Sequence, residues 1–293
     1  MCFHSARDGE RGCARQFKLL PAANHKALRS PATAIPATQL PTHSVECIRS
    51  SPGSGDSGTG SRKTDPEQAS LQGLRDVIVG MQTVLLDAAI KADVPRFIPS
   101  DYSIDFTKFP PGENRNLDLR RDFHNRLDRT SLSATTIFNG AFADMLTGQM
   151  PLILFKLKRV LYWGNPDQRM DFTAMDDTAA FTARAALDSS TPRFLRIAGD
   201  QLSARELVAV VSEVTGEEFH LFRAGGLGML STLIKVARTV APGEKELYPA
   251  WQGMQYMRNM FDGRAKLESL DNDRYPGILW TTARDVLATR QAG

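Results

Sequence analysis

The chain has 293 residues, of which 42% are hydrophobic, so it is long enough for one large domain or two small ones with a real core. No window approaches 18 consecutive apolar residues, and we therefore expect no membrane span. The formal net charge is +3, and residues 1–69 carry all of this excess. The neutral remainder is unlike a nucleic-acid binder, which concentrates its basic residues in the folded part.

All three cysteines, Cys2, Cys13 and Cys47, lie in the same first segment. The rest of the chain therefore has no disulfide framework, no cysteine-type zinc site and no thiol nucleophile, and we expect no metal site. This usage fits a reducing interior, and we expect a cytoplasmic protein. The alternative is an organelle transit peptide in residues 1–45, which are fairly rich in Arg and Ser.

Residues 1–69 are predicted to be a disordered or unrelated tail, because closely spaced prolines are followed by a Gly/Ser-rich run. Gly53, Gly55 and Gly58 spell the G-x-G-x-x-G pattern of dinucleotide-binding turns. That pattern requires a strand before it and a helix after it, so that helix amides meet the pyrophosphate. Neither flank has this character, and we interpret the glycines as a linker.

From about residue 70 the pattern changes to alternating helices and strands. Apolar residues at helical spacing predict an amphipathic helix over 74–93, and a short strand follows over 96–99. A second helix is predicted over 116–130 and a second strand over 134–142. Helices and strands that alternate at this spacing indicate a parallel sheet with crossover helices.

Further elements are predicted as strands at 159–164, 193–199 and 219–225, and as helices at 175–188, 203–214, 226–240, 249–261 and near the C terminus. Asp176 or Asp177 is expected to cap the helix at 175–188. Ser203 and Glu206 predict a capping box, with Gly216 just past the end of that helix. The two helices between 226 and 261 are expected to form a cap over the sheet.

Two observations bear on chemistry. No tyrosine has a lysine four residues later, which excludes the Tyr-x-x-x-Lys acid of short-chain reductases in its standard form. The strand at 96–99 ends in Pro-Ser-Asp-Tyr, which places polar side chains at the carboxyl edge of a parallel sheet, where ligands of open α/β folds bind. An ordinary polar loop is the alternative interpretation of this segment.

The motifs VPRFIPSDYSIDF, FNGAF, YWGNPD, MDFTAMDDTAAF, LRIAGDQLSARE and LWTTARDVL together resemble the NmrA-like and isoflavone-reductase-like branch of the short-chain dehydrogenase superfamily. The resemblance implies an α/β fold with a Rossmann-like parallel sheet over residues 70–293. The sheet core is expected at about 70–150 and 170–200, and a substrate-binding cap at about 200–280. The family's N-terminal βαβ units are missing or replaced, through either a misread 5′ region of the gene or a shortened protein.

The resemblance also implies an NADP or NAD site. The cofactor-binding residues that it implies are Pro99, Ser100, Asp101, Asn139, Gly140 and Phe142. Tyr102 borders the same nicotinamide end. The family's catalytic lysine falls at Arg120, which stays charged and can only polarise or clamp, whereas lysine can exchange a proton. His124, one turn later, titrates near neutrality and is the third catalytic candidate.

Three functions remain open. The first is an NAD(P)H-dependent reductase of a small quinone, carbonyl or benzylic substrate, which the cap around Trp251 and Tyr256 favours. The second is a non-catalytic NAD(P)-sensing regulator with a protein partner, which the absent lysine favours. The third is a chain whose cofactor binding is lost with its N-terminal units.

Overall fold

The computed structural model describes the backbone of residues 46–47 and 67–70 and all atoms of residues 73–290. The strands are β1 (Glu46–Cys47), β2 (Glu67–Ser70), β3 (Arg96–Ile98), β4 (Ser133–Ala134), β5 (Thr136–Phe138), β6 (Ala141–Phe142), β7 (Ile153–Leu154), β8 (Arg159–Trp163), β9 (Met170–Thr173), β10 (Phe194–Arg196), β11 (Asp200–Leu202) and β12 (His220–Gly225). The helices are α1 (Gln82–Lys91), α2 (Arg115–Leu127), α3 (Met175–Leu187), α4 (Ala204–Thr215), α5 (Leu227–Val240), α6 (Ala250–Phe261) and α7 (Ala283–Thr289). A π-helical turn, Asp76–Met81, leads into α1.

The strands pair mostly in parallel. Parallel pairs are β2 with β3, β3 with β4, β5 with β10, β6 with β9, and β8 with β12. Antiparallel pairs are β1 with β2, β7 with β8, and β9 with β11. The predicted α/β fold is therefore confirmed, with antiparallel strands added to a mainly parallel arrangement.

Both faces of the sheet are covered by helices. Phe97 of β3 packs in a buried cluster with Leu86 of α1 and Phe123 of α2. The next residue, Ile98, points the other way and packs in a cluster with Phe181 of α3. This alternation follows from the strand period of two, and it explains why β3 is apolar on both sides.

The capping box predicted at α4 is confirmed. The Ser203 hydroxyl accepts from the Glu206 amide while the Glu206 carboxylate accepts from the Ser203 amide, and Gly216 ends the helix at φ +69°. The cap predicted for α3 is wrong. Asp177 instead accepts two hydrogen bonds from Thr281, and the Met175 amide is capped by Asp144 at 2.9 Å. The carboxylate of Asp144, from a distant segment, thus caps α3 in place of Asp176 or Asp177.

The predicted strand over 134–142 is divided. Thr135 and Asn139–Gly140 separate β4, β5 and β6, and Gly140 turns the chain at φ +67°.

The parallel part of the fold begins close to its predicted start at residue 70, since β2 begins three residues earlier, at Glu67. Neither the Gly53–Gly58 motif nor the first two cysteines fall within the described residues. In residues 73–290 no helix is long and apolar enough to cross a membrane.

Candidate functional site

The chain leaves β3 through a buried polar turn. The Ser100 amide donates to Oε1 of Gln82 on α1 at 2.9 Å, and both residues are buried. The Ser103 hydroxyl donates to the Asp101 carbonyl at 2.8 Å. These bonds satisfy the backbone groups that a buried turn would otherwise leave unpaired, so the turn has a defined shape.

The exit of β5 lies beside this turn. The backbone N–H of Asn139 donates to the Ser103 carbonyl at 3.1 Å, and the Thr173 hydroxyl of β9 donates to the backbone carbonyl of Asn139 at 2.7 Å. At Gly140 a Cβ atom would lie 2.5 Å from the Asp171 carbonyl oxygen, so only glycine fits this approach. The structure thus brings together the two strand exits that the sequence singled out.

Asp101, His124 and Thr136 are buried together, and the half-buried Arg193 contacts them from the edge; we call these four residues the Asp101–His124 network. His124 Nε2 lies 2.5 Å from Asp101 Oδ2, and Thr136 Oγ1 donates to the same oxygen at 3.1 Å. Arg193 donates to His124 Nδ1 and to Thr136 Oγ1, each at 2.8 Å. The Asp101 side chain is fully buried, and the ring edge of Phe106 closes over His124 at 4.9 Å between centroids.

These contacts fix the tautomer of His124. Because Arg193 can only donate, Nδ1 must accept, and Nε2 must carry the proton that it shares with Asp101. Both ring nitrogens are therefore engaged inside the protein. This arrangement orients Asp101 and leaves His124 without a nitrogen to offer to a substrate.

Arg120 lies one turn before His124 on the same face of α2, near Tyr256 of α6. Its side chain is buried, with 8% of the residue exposed, and Nη1 donates to the Asn116 carbonyl at 3.1 Å. Its Nε atom is buried without a partner in the part of the chain that the structure describes. The Tyr256 phenol of α6 is close enough to feel the charge of Arg120, and the Asn116 side chain hydrogen-bonds to it. We call Asn116, Arg120 and Tyr256 the Arg120 site.

Burial raises the pKa of Tyr256, although the Arg120 charge opposes this shift. The phenol therefore keeps its proton across neutral pH. A protonated phenol can donate through its O–H, as the Arg120 guanidinium can through its N–H groups. The Arg120 site therefore presents hydrogen-bond donors of two kinds.

A set of buried amides holds α6 against α2. Asn114 caps α2 through its own Oδ1, which also accepts from Gln252 Nε2 at 2.8 Å. Asn114 Nδ2 donates to Asn259 Oδ1 at 3.0 Å. Arg115 stacks over Trp251, with 4.9 Å from its guanidinium carbon to the ring centroid, and donates to the Leu247 carbonyl at 2.7 Å. The cap helix is thus fixed over Arg120 by contacts that start at the N terminus of α2.

The remaining predicted residues lie on the sheet side. Pro99 and Ser100 are buried in the turn after β3. Tyr102 packs against the cluster that contains Ile98 and Phe181, whereas Arg120 faces α6. Phe142 is half-buried at the end of β6. Arg193 and Thr136 were not predicted, because an arginine and a threonine at strand ends carry no signal of their own in the sequence.

A mainly parallel sheet covered on both faces, with polar strand exits, defines a Rossmann-like α/β protein. The model of the NmrA-like family matches residues 70–255, which is more than half of the chain. The chain therefore belongs to the NmrA-like family, a family of NAD(P)-binding reductases. No curated protein matches the sequence significantly.

Solved structures show the same fold. Isoflavone reductase is 17% identical with a TM-score of 0.63, over 77% of this chain and 74% of that one. AtPrR2 with NADP+ and (+)-pinoresinol is 20% identical with a TM-score of 0.61, over 77% and 75%. The leucoanthocyanidin reductase–NADPH complex from Vitis vinifera is 16% identical with a TM-score of 0.60, over 73% and 75%.

The described residues fit one end of such a cofactor. Asn139 is fully buried at the strand exit, and its Oδ1 has no partner among residues 73–290. An unpartnered amide oxygen at this position suits the carboxamide N–H of a nicotinamide. The family's pyrophosphate-binding turn precedes β3. Residues 1–45 and 48–66 of this chain, for which the sequence predicts no such turn, lie outside the described residues.

Proposed function

We propose that this protein is an NAD(P)H-dependent reductase of a small substrate whose reacting group is a carbonyl, quinone or benzylic carbon. The observation that carries the proposal is the Arg120 site: a buried guanidinium whose Nε has no partner among the described residues, at the position where the family places its catalytic lysine, lies near the protonated phenol of Tyr256 on the cap helix. Donors aimed at a developing negative charge supply much of the rate enhancement in such reactions. The reductase names among the structural neighbours agree with this class.

The bound cofactor would supply the hydride. Arg120 would stay charged and hold the acceptor oxygen, since a guanidinium cannot give up its proton at any useful pH. Tyr256 would donate its hydroxyl proton to that oxygen as negative charge develops, and solvent would return the proton. Ser100, Asp101 and Asn139 would border the nicotinamide end, with His124 holding Asp101 in place.

The first experiment separates cofactor binding from catalysis. Purified full-length protein is titrated with NADH and NADPH while the melting temperature and cofactor fluorescence are followed. Binding of either cofactor would contradict the interpretation of residues 1–69 as unrelated to nucleotide binding. If neither binds, replacing these residues with a strand–glycine–helix unit should restore binding.

The second experiment measures cofactor oxidation across quinones, aldehydes and ketones. We expect turnover with at least one class. Binding without any turnover would favour the NAD(P)-sensing regulator, which the arginine at the lysine position supports. Arg120→Lys then distinguishes the two, because a lysine should raise turnover in a reductase and change nothing in a sensor.

A further inference from the structure

The charge of Arg120 has no counter-ion within residues 73–290. Of the carboxylates packed along α2, Asp118 pairs with Arg121 and Glu113 with Arg264, each at 2.7 Å. Asp101 binds His124 through Oδ2, and its Oδ1 makes no hydrogen bond or ion pair within residues 73–290. Arg115, the other arginine of α2 without an ion pair, is instead satisfied by carbonyls of the α5–α6 loop and by Trp251. Arg120 makes one hydrogen bond in this region, to a backbone carbonyl of its own helix.

A buried cation without a partner is unfavourable, because the protein interior does not replace the water that the charge has lost. Such a group is kept where a ligand supplies the missing charge. The other members of the Arg120 site, the Tyr256 hydroxyl and the Asn116 amide, also donate. A group of donors around an unbalanced positive charge matches the acceptors of a carboxylate.

We propose that the Arg120 site binds a carboxylate on the substrate, so that the acceptor is a 2-oxo acid or a closely related carbonyl acid. The planar guanidinium would span one carboxylate oxygen and the adjacent carbonyl oxygen, and the Tyr256 hydroxyl would face the carbonyl oxygen. In the reduction, the carbonyl π bond would break, its carbon would take the hydride that NAD(P)H supplies on oxidation to NAD(P)+, and its oxygen would take the Tyr256 hydroxyl proton, which solvent then replaces. This inference rests on the proposed function for its reaction, but not for its binding step.

The binding step is tested without turnover. Binding of benzoate and of its neutral isostere benzamide to the full-length protein is measured by calorimetry at constant ionic strength, with and without NADPH. Acetate and acetamide form a second, smaller pair. We expect each carboxylate to bind about tenfold or more tightly than its amide.

Variants test whether Arg120 confers the preference for carboxylate over amide. Arg120→Met should abolish this preference. Arg120→Lys should retain part of it, because lysine keeps the charge but lacks the planar pair of N–H donors. Arg126→Met is the matched control, since Arg126 lies on the same helix but is exposed and paired with Asp87. Equal binding of carboxylate and amide by the wild type, or a preference that survives Arg120→Met, overturns the proposal.

The reaction is tested with phenylglyoxylate and its methyl ester, which carry the same ketone with and without the charge. We expect kcat/KM for the acid to exceed that for the ester about tenfold or more, through KM. Equal turnover of the acid and the ester would contradict the carboxylate site but would support the reductase activity. A carboxylate preference in binding without any turnover would support the carboxylate site but would contradict the reductase activity.

Discussion

Two successive turns of α2 hold buried polar side chains in different surroundings. In the Asp101–His124 network, both nitrogens of His124 are engaged, Thr136 Oγ1 donates to Asp101 and accepts from Arg193, and Asp101 Oδ1 has no partner among the described residues. At the Arg120 site, one turn earlier on the same face of the helix, a buried charged side chain makes one hydrogen bond. A charge that is largely paired within the protein costs the fold less than a buried charge that lacks a partner. The comparison therefore assigns a structural role to His124 and a functional role to Arg120.

The largest effect is expected from His124→Ala. This change takes a neutral donor away from the buried Asp101 carboxylate, which keeps Thr136 as its side-chain donor, and a buried charged acceptor that loses such a partner costs about 3 kcal/mol. The free energy of unfolding, measured with urea, should fall by that amount. His220→Ala is the control, because His220 is exposed, and it should change stability by less than about 0.5 kcal/mol. An unchanged stability in His124→Ala would remove the structural role.

Arg120→Met should give the opposite pattern. We expect kcat/KM to fall about 100-fold or more, as when a donor to a developing oxyanion is removed. Stability should stay unchanged or rise, because an unbalanced buried charge is replaced by an apolar group of similar length. If the urea midpoint instead drops as far as in His124→Ala, Arg120 and His124 do not differ in role in the way described.

Gly140→Ala tests the exit of β5, where the chain turns directly after Asn139. The new Cβ would lie 2.5 Å from the Asp171 carbonyl at a φ of +67°, and we expect a loss of roughly 3 kcal/mol from strain and close contact together. Gly216→Ala is the matched control, with a φ of +69° and nothing within 4 Å of the new atom. It should cost about 1 kcal/mol, the conformational part alone. Equal losses in the unfolding experiment would show that the approach to Asp171 is not tight.

The smallest effect concerns pH. Burial raises the pKa of Asp171 above its usual value of 3.8, despite hydrogen bonds from the Leu267 amide and Gln201. The folded protein then binds more protons than the unfolded chain between 3.8 and the raised value, so the contribution of Asp171 to stability falls as pH rises through that window. The difference in unfolding free energy between Asp171→Asn and the wild type should therefore shift in favour of the variant as pH rises from 3.5 to 7. A difference that is constant with pH would contradict the raised pKa.

Much of the fold could be predicted from periodicity and capping. The helices α2 to α7 and the strands β3, β8 and β12 lie within a few residues of their predicted bounds, because each carries a local signal of apolar spacing or a cap. The cap of α3 could not be predicted, since Asp144 and Thr281 reach the first turn of that helix only in the folded chain. The division of the strand at 134–142 likewise follows from the approach of Asp171 to Gly140.

The sequence by itself determined the α/β class, the neutral folded part, the departure from lysine at Arg120 and the resemblance to the NmrA-like family, because these depend on residue type and local spacing. The tertiary structure decided which of the neighbouring polar residues are satisfied. His124 and Arg120 stand one turn apart on α2, yet one meets Asp101 and Arg193 while the other faces Tyr256 on the cap. Asp101 and Arg193 lie 23 and 69 residues from His124 along the chain. Such separations leave no local pattern, and only folding brings these residues together.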